Sequence, residues 1–481
     1  MRKSFVGTPQ AELELFSLSW PIFVEMALFM AIGTLGLWMA GQISAAAVAV
    51  FGMANQLRIV FDRIFRVVSM GSSVVVTQSR GAKDVPGAQA LARAGFSTAL
   101  WLGLLAALLV GAMPAWLLHV LQLPAELMEM AVPFMRIIAL AMGIEAVNIT
   151  MFAVLRAFTF TKVSMRLVLA MNLLHVLVSA PLVFGIGPLP ALGVMGLAWG
   201  QLASRALVFL LLVWVWARHL GIRLCLRDAV HVPREPLRAI LRIGLPSAGE
   251  KIGFRVCFMA TVAMAGSLGT AALAVHAYAM QINGIVNMVV NAVASGVEII
   301  IGHKVGAGDL RSANALMQRT LRISLVASGL GSLLAWLLMP QAIALFSDNP
   351  AVPVLLASIL AIELLAGQGR ALNVLVTGGL RAAGDVMFIA KTSIYINVLA
   401  GTVLAWLLGI HFGFGLPGIW LGYMADECLR GLVALLRWQW RLWAPSARST
   451  PACTPSSEAA CADALARDEI QNRFSLAAQT V

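Results

Sequence analysis

In an apolar run from residue 46 to 76, Asn55, Arg58, Asp62 and Arg66 follow one another at steps of three and four. On a helix this spacing makes one polar stripe, with Asp62 a single turn from an arginine on either side. An ionisable group at the centre of a membrane helix costs about 2.5 to 3.5 kcal/mol. Such a stripe therefore points either to a wet cavity that a solute enters or to an ion ladder that locks the helix to its neighbours. A second stripe, Asn283, Asn287 and Asn291, keeps the polarity and drops the charge. With Arg370, these residues are the candidate substrate cavity. Glu25 and Glu250 each lie one turn after a proline, Pro21 and Pro246, where the backbone hydrogen-bond ladder is loosened. They, Asp62 and Glu145 are candidates for binding a driving proton or cation. For Glu25 and Glu250 the alternative is a carboxylate at the membrane rim, which Lys251 and Arg255 favour beside Glu250.

The two stripes belong to an internal repeat. Gly71 through Gln78, running into Gly81-Ala-Lys-Asp84, returns as Gly296 through His303, running into Gly306-Ala-Gly-Asp309, at a spacing of 225 residues. Pro21 and Glu25 return as Pro246 and Glu250, Leu155-Arg156-Ala157 as Leu380-Arg381-Ala382, and Asn172 as Asn397. Two copies of one unit set the architecture before any motif is read. Glu145 and Arg370 are repeat mates of opposite sign, open to pairing with other helices, to gating the cavity or to helix packing.

The chain of 481 residues is 60% hydrophobic and 12% charged, with a mean hydropathy of +0.88, which excludes an ordinary soluble protein and predicts an integral membrane protein. The net charge of +12 and a pI near 10.3 do not indicate nucleic acid, because the basic residues form short clusters between apolar runs. Twelve spans are expected, at 15–40, 46–76, 94–118, 129–154, 163–185, 191–217, 240–266, 271–302, 318–340, 351–377, 387–410 and 415–441. The fold class is thus all-α, with twelve transmembrane helices in two six-helix bundles related by a parallel repeat. The first bundle takes residues 1–218, a cytoplasmic connector 219–239, the second bundle 240–443, and a disordered cytoplasmic tail 444–481. The pairs Gly196 with Gly200 and Gly418 with Gly422 predict close helix contacts in both copies.

Arg80, Lys83, Arg93, Arg156, Lys162, the run from Arg218 to Arg242, Lys304, Arg311, Arg381 and Lys391 all follow even-numbered helices, and the other loops hold no Lys or Arg. By the positive-inside rule both termini face the cytoplasm of a cell, with the chain in its inner membrane. No cleavable signal peptide is visible, so the run from Leu15 is retained. Five cysteines, Cys225, Cys257, Cys428, Cys453 and Cys461, show no metal-ligand spacing, and His119, His175, His276 and His411 are scattered. No metal site, cofactor or catalytic residue is expected. No Walker loop, nucleophile elbow or His-Glu-x-x-His is present, so the expectation is a transporter and not an enzyme.

Leu18-Ser-Trp-Pro21, Met39-Ala-Gly41, Gln78 through Gly81 with Asp84, Leu245-Pro246-Ser-Ala-Gly-Glu250, Ala274-Val-His276 and above all Leu380-Arg-Ala-Ala-Gly-Asp385 resemble the multidrug and toxic compound extrusion family, over about residues 13–441. The resemblance implies a secondary active exporter of drugs or metabolites, driven by a proton or sodium gradient through rocker-switch exchange, acting as a monomer in the lipid bilayer on a small-molecule substrate. The alternative is a flippase of lipid-linked headgroups from the same superfamily. Asn172 matches the helix 5 asparagine of the family's cation site, which adds it to the ion-coupling candidates. The acidic residue late in helix 1 of this family falls at Gly36, the helix 7 glutamate at Phe254 and the helix 10 aspartate at Arg370. Either Glu25, Glu250 and Asp62 replace them, or coupling is altered. Arg58, Arg63 and Arg66 against Asp62 predict an anionic, zwitterionic or neutral substrate over a lipophilic cation.

Overall fold

A computed structural model describes residues 9–185, 190–225, 228–229, 234–338, 351–440 and 443. The proposed tail, with Cys453 and Cys461, lies outside them, as do 186–189 and 341–350 of the charge-free loops. Among the described residues the chain is entirely helical. The helices are α1 (Pro9–Gly41), α2 (Ala45–Gly81), α3 (Val85–Ala112), α4 (Pro114–Val120), α5 (Met128–Ala157), α6 (Thr161–Phe184), α7 (Val194–Val215), α8 (Arg234–Ser267), α9 (Thr270–Gly306), α10 (Leu310–Leu337), α11 (Ala351–Ala382), α12 (Val386–Ile396) and α13 (Gly415–Gln439). Widened turns of π type continue α7 through Trp216–Leu220 and α12 through Asn397–Leu404 and Leu407–His411. Twelve of these helices are the expected spans. The extra one, α4, arises because Pro114 cannot continue α3, so the apolar run expected at 94–118 breaks at Met113. Nine helices are long and apolar enough to cross a membrane by length and composition. The other three long ones, α2, α8 and α13, carry ionisable clusters in their interiors.

Helix ends follow the repeated loop. Asp84 caps α3 by accepting from the Gly87 N–H at 2.9 Å, and its mate Asp309 caps α10 by accepting from Ser312 N–H at 3.1 Å. The first helix of the second copy starts at Arg234, before the expected 240, because Arg234, Arg238 and Arg242 extend it as a basic turn.

The chain divides into two compact units. An amino-terminal unit contains residues 24–77 and 84–248, and a carboxy-terminal unit contains residues 1–23, 78–83 and 249–481. The core of the first is built from α1, α2, α3, α5 and α7, with Phe65, Phe134, Met135 and Met142 almost fully buried. In the second, Trp438 stacks on Trp443 at 4.6 Å and donates from its indole to Asn314 at 2.9 Å.

The carboxy-terminal unit also joins the two loops of the repeat. A methyl group on Gly81 would overlap the carbonyl of His303, and one on Gly306 would overlap the carbonyl of Gln78. Gly81 and Gly306 are repeat mates, and so are Gln78 and His303, so the contact is reciprocal. Only glycine lets the two backbones approach this closely. Gln78 adds a bond from Nε2 to the Ala382 carbonyl at 2.7 Å.

Candidate functional site

Glycines on α7 and α13 fix how the repeat copies align late in the chain. Gly196 lies against Leu182 of α6, where an added methyl would come within 2.7 Å of backbone, and Gly418 lies against Leu408, where it would come within 2.6 Å. Gly200 likewise faces Ser179, and Gly422 faces Ala405. The expected small-residue contacts are therefore present. They also shift the local register: the π-type turns after Asn397 insert one residue, and the following connection is shorter than its counterpart. In this register Arg205 of α7 corresponds to Glu427 of α13, and Gln201 to Tyr423.

In the amino-terminal unit, the helix 2 stripe is a ladder along α2. Arg58 donates from Nε and Nη2 to Asn55 Oδ1, at 3.2 and 2.9 Å, and from Nη1 to Asp62 Oδ2 at 2.8 Å. Arg66 is exposed and makes no hydrogen bond of this kind. Glu145 of α5 pairs with Arg205 of α7 at 3.1 Å, both buried. Glu25 is 3% exposed and accepts from Arg156 Nη1 at 2.9 Å. Asn172 is buried on α6, and its Nδ2 meets no partner among the described residues. A pocket of about 220 Å³ opens beside the stripe, with Asn55, Arg58 and Gln201 as its polar lining and Phe51, Phe134 and Ile138 among its apolar walls. Phe51 also fills the place of the missing helix 1 acid, since a methyl on Gly36 would come within 2.7 Å of its ring.

The carboxy-terminal unit repeats this plan with different charges. Arg381 of α11 pairs with Glu250 of α8 at 3.3 Å, the repeat copy of Arg156 with Glu25, and also with Glu298 of α9 at 3.4 Å. Lys251 adds a contact to Glu250 at 3.6 Å. Both carboxylates proposed for ion coupling are thus held by an arginine from the last turn of α5 or α11. Arg156 and Arg381, read from the sequence as loop charges, are buried or half-buried helical residues. A charge at a helix end is indistinguishable from a loop charge until its partner on another helix is seen.

Arg370 lies at the repeat position of Glu145, and Glu427 replaces Arg205. The pair persists, at 3.4 Å, with its signs reversed. Arg370 also reaches Glu363 Oε1 at 3.7 Å, donates to Asn283 Oδ1 and sits 4.9 Å over the Tyr423 ring. Arg430 binds Asp426 with Nε at 3.0 Å and with Nη2, and reaches Glu427 at 3.0 Å. Asn373 donates to Glu427 Oε2 at 2.9 Å. Arg430 also lies 5.6 Å over the ring of Phe254, the position of the missing helix 7 glutamate. The asparagine ladder of α9 is closed on itself: Asn287 donates to the Asn283 carbonyl at 2.8 Å and Asn291 to the Asn287 carbonyl at 2.7 Å. Asn283 and Asn287 are buried.

The sequence reading missed Arg205, Glu363, Asp426, Glu427 and Arg430. The signal was present, since each is ionisable within an expected span, but the repeat at 225 residues hid the match of Arg205 with Glu427.

Comparison with known proteins gives one consistent result. The family profile described as MatE matches residues 21–180 and 246–407. The chain is 30% identical over 433 residues to the uncharacterized transporter YisQ of Bacillus subtilis, covering 89% of this chain and 94% of the relative. It is 27% identical to the multidrug resistance protein PmpM of Pseudomonas aeruginosa, covering 86% and 88%. The crystal structure of the Vibrio cholerae MATE transporter VcmN in its bent form superposes with a TM-score of 0.81 at 19% identity, over 91% of this chain and 97% of that one.

Proposed function

The chain belongs to the MatE family of multidrug and toxic compound extrusion transporters, and we propose that it exports small molecules by antiport against an inward proton or sodium gradient. Transport would proceed by rocker-switch alternating access of two six-helix bundles, in a monomer of the inner membrane with both termini cytoplasmic and no cofactor besides the coupling ion. The printed names of relatives such as PmpM support a drug or metabolite as substrate. The observation that carries the substrate class is the pocket beside α2, whose polar lining of Asn55, Arg58 and Gln201 includes a guanidinium and no carboxylate. A guanidinium in a partly desolvated pocket favours an anion, a zwitterion or a neutral hydrogen-bond acceptor. Aromatic walls at Phe51 and Phe134 supply apolar area for the remainder of a small solute.

The test is uptake into everted vesicles under separately imposed proton and sodium gradients, with a panel of anionic, zwitterionic and cationic solutes. Gradient-driven accumulation of an anion or zwitterion is the expected result. Activity only on lipid-linked headgroups would transfer the chain to the flippase reading, and selective export of cations would remove the charge argument.

A further inference from the structure

The ion cluster on α11 and α13 does not balance. Glu363, Asp426 and Glu427 supply three carboxylates, and Arg370 and Arg430 supply two guanidiniums, all buried. In the amino-terminal unit the corresponding place holds the single pair Glu145 with Arg205, where the repeat mate of Glu363 is the apolar Ile138. The second copy has thus acquired one surplus negative charge in a low-dielectric interior, where an uncompensated charge is expensive.

Geometry identifies which carboxylate is the surplus one. Glu427 lies between both guanidiniums, at 3.4 and 3.0 Å, and accepts from Asn373. Asp426 takes two N–H groups of Arg430. Glu363 has only the 3.7 Å approach of Arg370 to Oε1. It is 5% exposed, and its Oε2 is buried with no hydrogen-bond partner among the described residues. A buried acceptor without a donor is rare in folded proteins.

We propose that Glu363 is the proton-binding carboxyl of this bundle, taking up and releasing one proton at Oε2 while Arg370 stays fixed between Glu427 and Asn283. The proton converts the carboxylate to a neutral acid and brings the five residues to zero net charge. Around Glu363, the charged groups come from its own helix, Arg370, and from α13, Asp426, Glu427 and Arg430. From α9 come the neutral Asn283 and the buried His276, and α10 contributes the hydroxyls of Ser328 and Ser332 beside Gly367. Lys391 and Tyr395 of α12 are exposed. His276 is the rival proton acceptor, because both its ring nitrogens lack partners among the described residues.

This inference rests on the ion-driven reading above, but its test does not. Purified protein in lipid nanodiscs is examined by infrared difference spectroscopy across pH, for the wild type, Glu363→Gln and Glu363→Asp. A carboxylic C=O band that grows on acidification, is lost in Glu363→Gln and is shifted in Glu363→Asp is expected. The aspartate variant keeps the acid, so it carries the test if the glutamine variant does not fold. A band unchanged in position and size by either variant, or no carboxylic band at all, overturns the proposal and leaves His276 as the titrating group. A band abolished by adding sodium at constant pH assigns the position to a metal cation and also overturns it. Proton-driven uptake into proteoliposomes should be lost in Glu363→Gln. If the band behaves as expected and the wild type transports nothing under any gradient, the proton site stands and the transport reading falls.

Discussion

Glu145 and Arg205 form a buried ion pair at 3.1 Å, and the second copy of the repeat rebuilds the same pair as Arg370 and Glu427 with the charges exchanged. What the repeat maintains at this helix contact is attraction between opposite charges, and either helix can carry either sign. Removing one member leaves a buried charge without its partner, which costs about 3 to 5 kcal/mol. Glu145→Ala should therefore lower the thermal unfolding temperature markedly, and so should Arg205→Ala. The exchanged double variant, Glu145→Arg with Arg205→Glu, should recover most of the loss, as followed by fluorescence-detected chromatography after heating. A double variant no better than the singles would show that the surroundings fix the sign.

A second repeated pair permits a graded comparison. Arg156 holds one carboxylate, Glu25, whereas Arg381 holds two, Glu250 and Glu298. Arg381→Met should be the more destabilising substitution, since it strands two negative charges where Arg156→Met strands one, and Lys251 reaches only Glu250. Adding Glu298→Gln to Arg381→Met should recover part of the difference. The measurement is the midpoint of thermal unfolding of the three purified variants in one detergent.

The reciprocal contact of the two loops should be intolerant on both sides. Gly81→Ala and Gly306→Ala each place a methyl against a backbone carbonyl that belongs to a helix end and cannot rotate away. Overpacking of this kind costs about 1 to 3 kcal/mol. Both variants should therefore show reduced folded yield and reduced transport, and Gly33→Ala, where a methyl meets nothing within 4 Å, is the control.

The fold was largely legible in the sequence because its strongest signals are long-range and redundant. A 225-residue offset, twelve apolar runs and Gly384-Asp385 at a helix junction all give the same answer. The site was legible only where charge and repeat coincide within one helix. Asn55, Arg58 and Asp62 form the expected ladder because a three- and four-residue step is a property of a single helix. Glu363, Asp426, Glu427 and Arg430 escaped because their meaning depends on which faces of α11 and α13 meet. Their register is set by the inserted residue in the π-type turns, which leaves no mark in composition.

Membrane orientation gives a prediction independent of the site. Cys225 is exposed in the connection between α7 and α8, next to the densest basic cluster. A membrane-impermeant thiol reagent should leave it unmodified in intact cells and label it after permeabilisation. The background should be small, because Cys257 and Cys428 are only partly exposed. Labelling of Cys225 in intact cells would reverse the orientation and place both termini outside.

The last prediction concerns charge selection at α2. Arg58 is the only charged residue lining the pocket, and its guanidinium is held in place by Asn55 on one side and by Asp62 on the other. Arg66 is exposed and outside that lining, so the two arginines of the stripe should differ in effect. Arg58→Gln keeps hydrogen-bonding capacity and removes the charge. It should weaken export of an anionic dye about tenfold, the loss of roughly 1.4 kcal/mol of charge-assisted binding, while a neutral analogue changes little. Arg66→Gln should leave both nearly unchanged. Asp62→Asn frees Arg58 from its salt bridge at 2.8 Å and should raise preference for the anion, provided the protein folds with Asn55 still bonded to the guanidinium. Matched anionic, neutral and cationic dyes across the four proteins decide the matter. Equal anion export by the wild type and Arg58→Gln would return the stripe to a structural ladder.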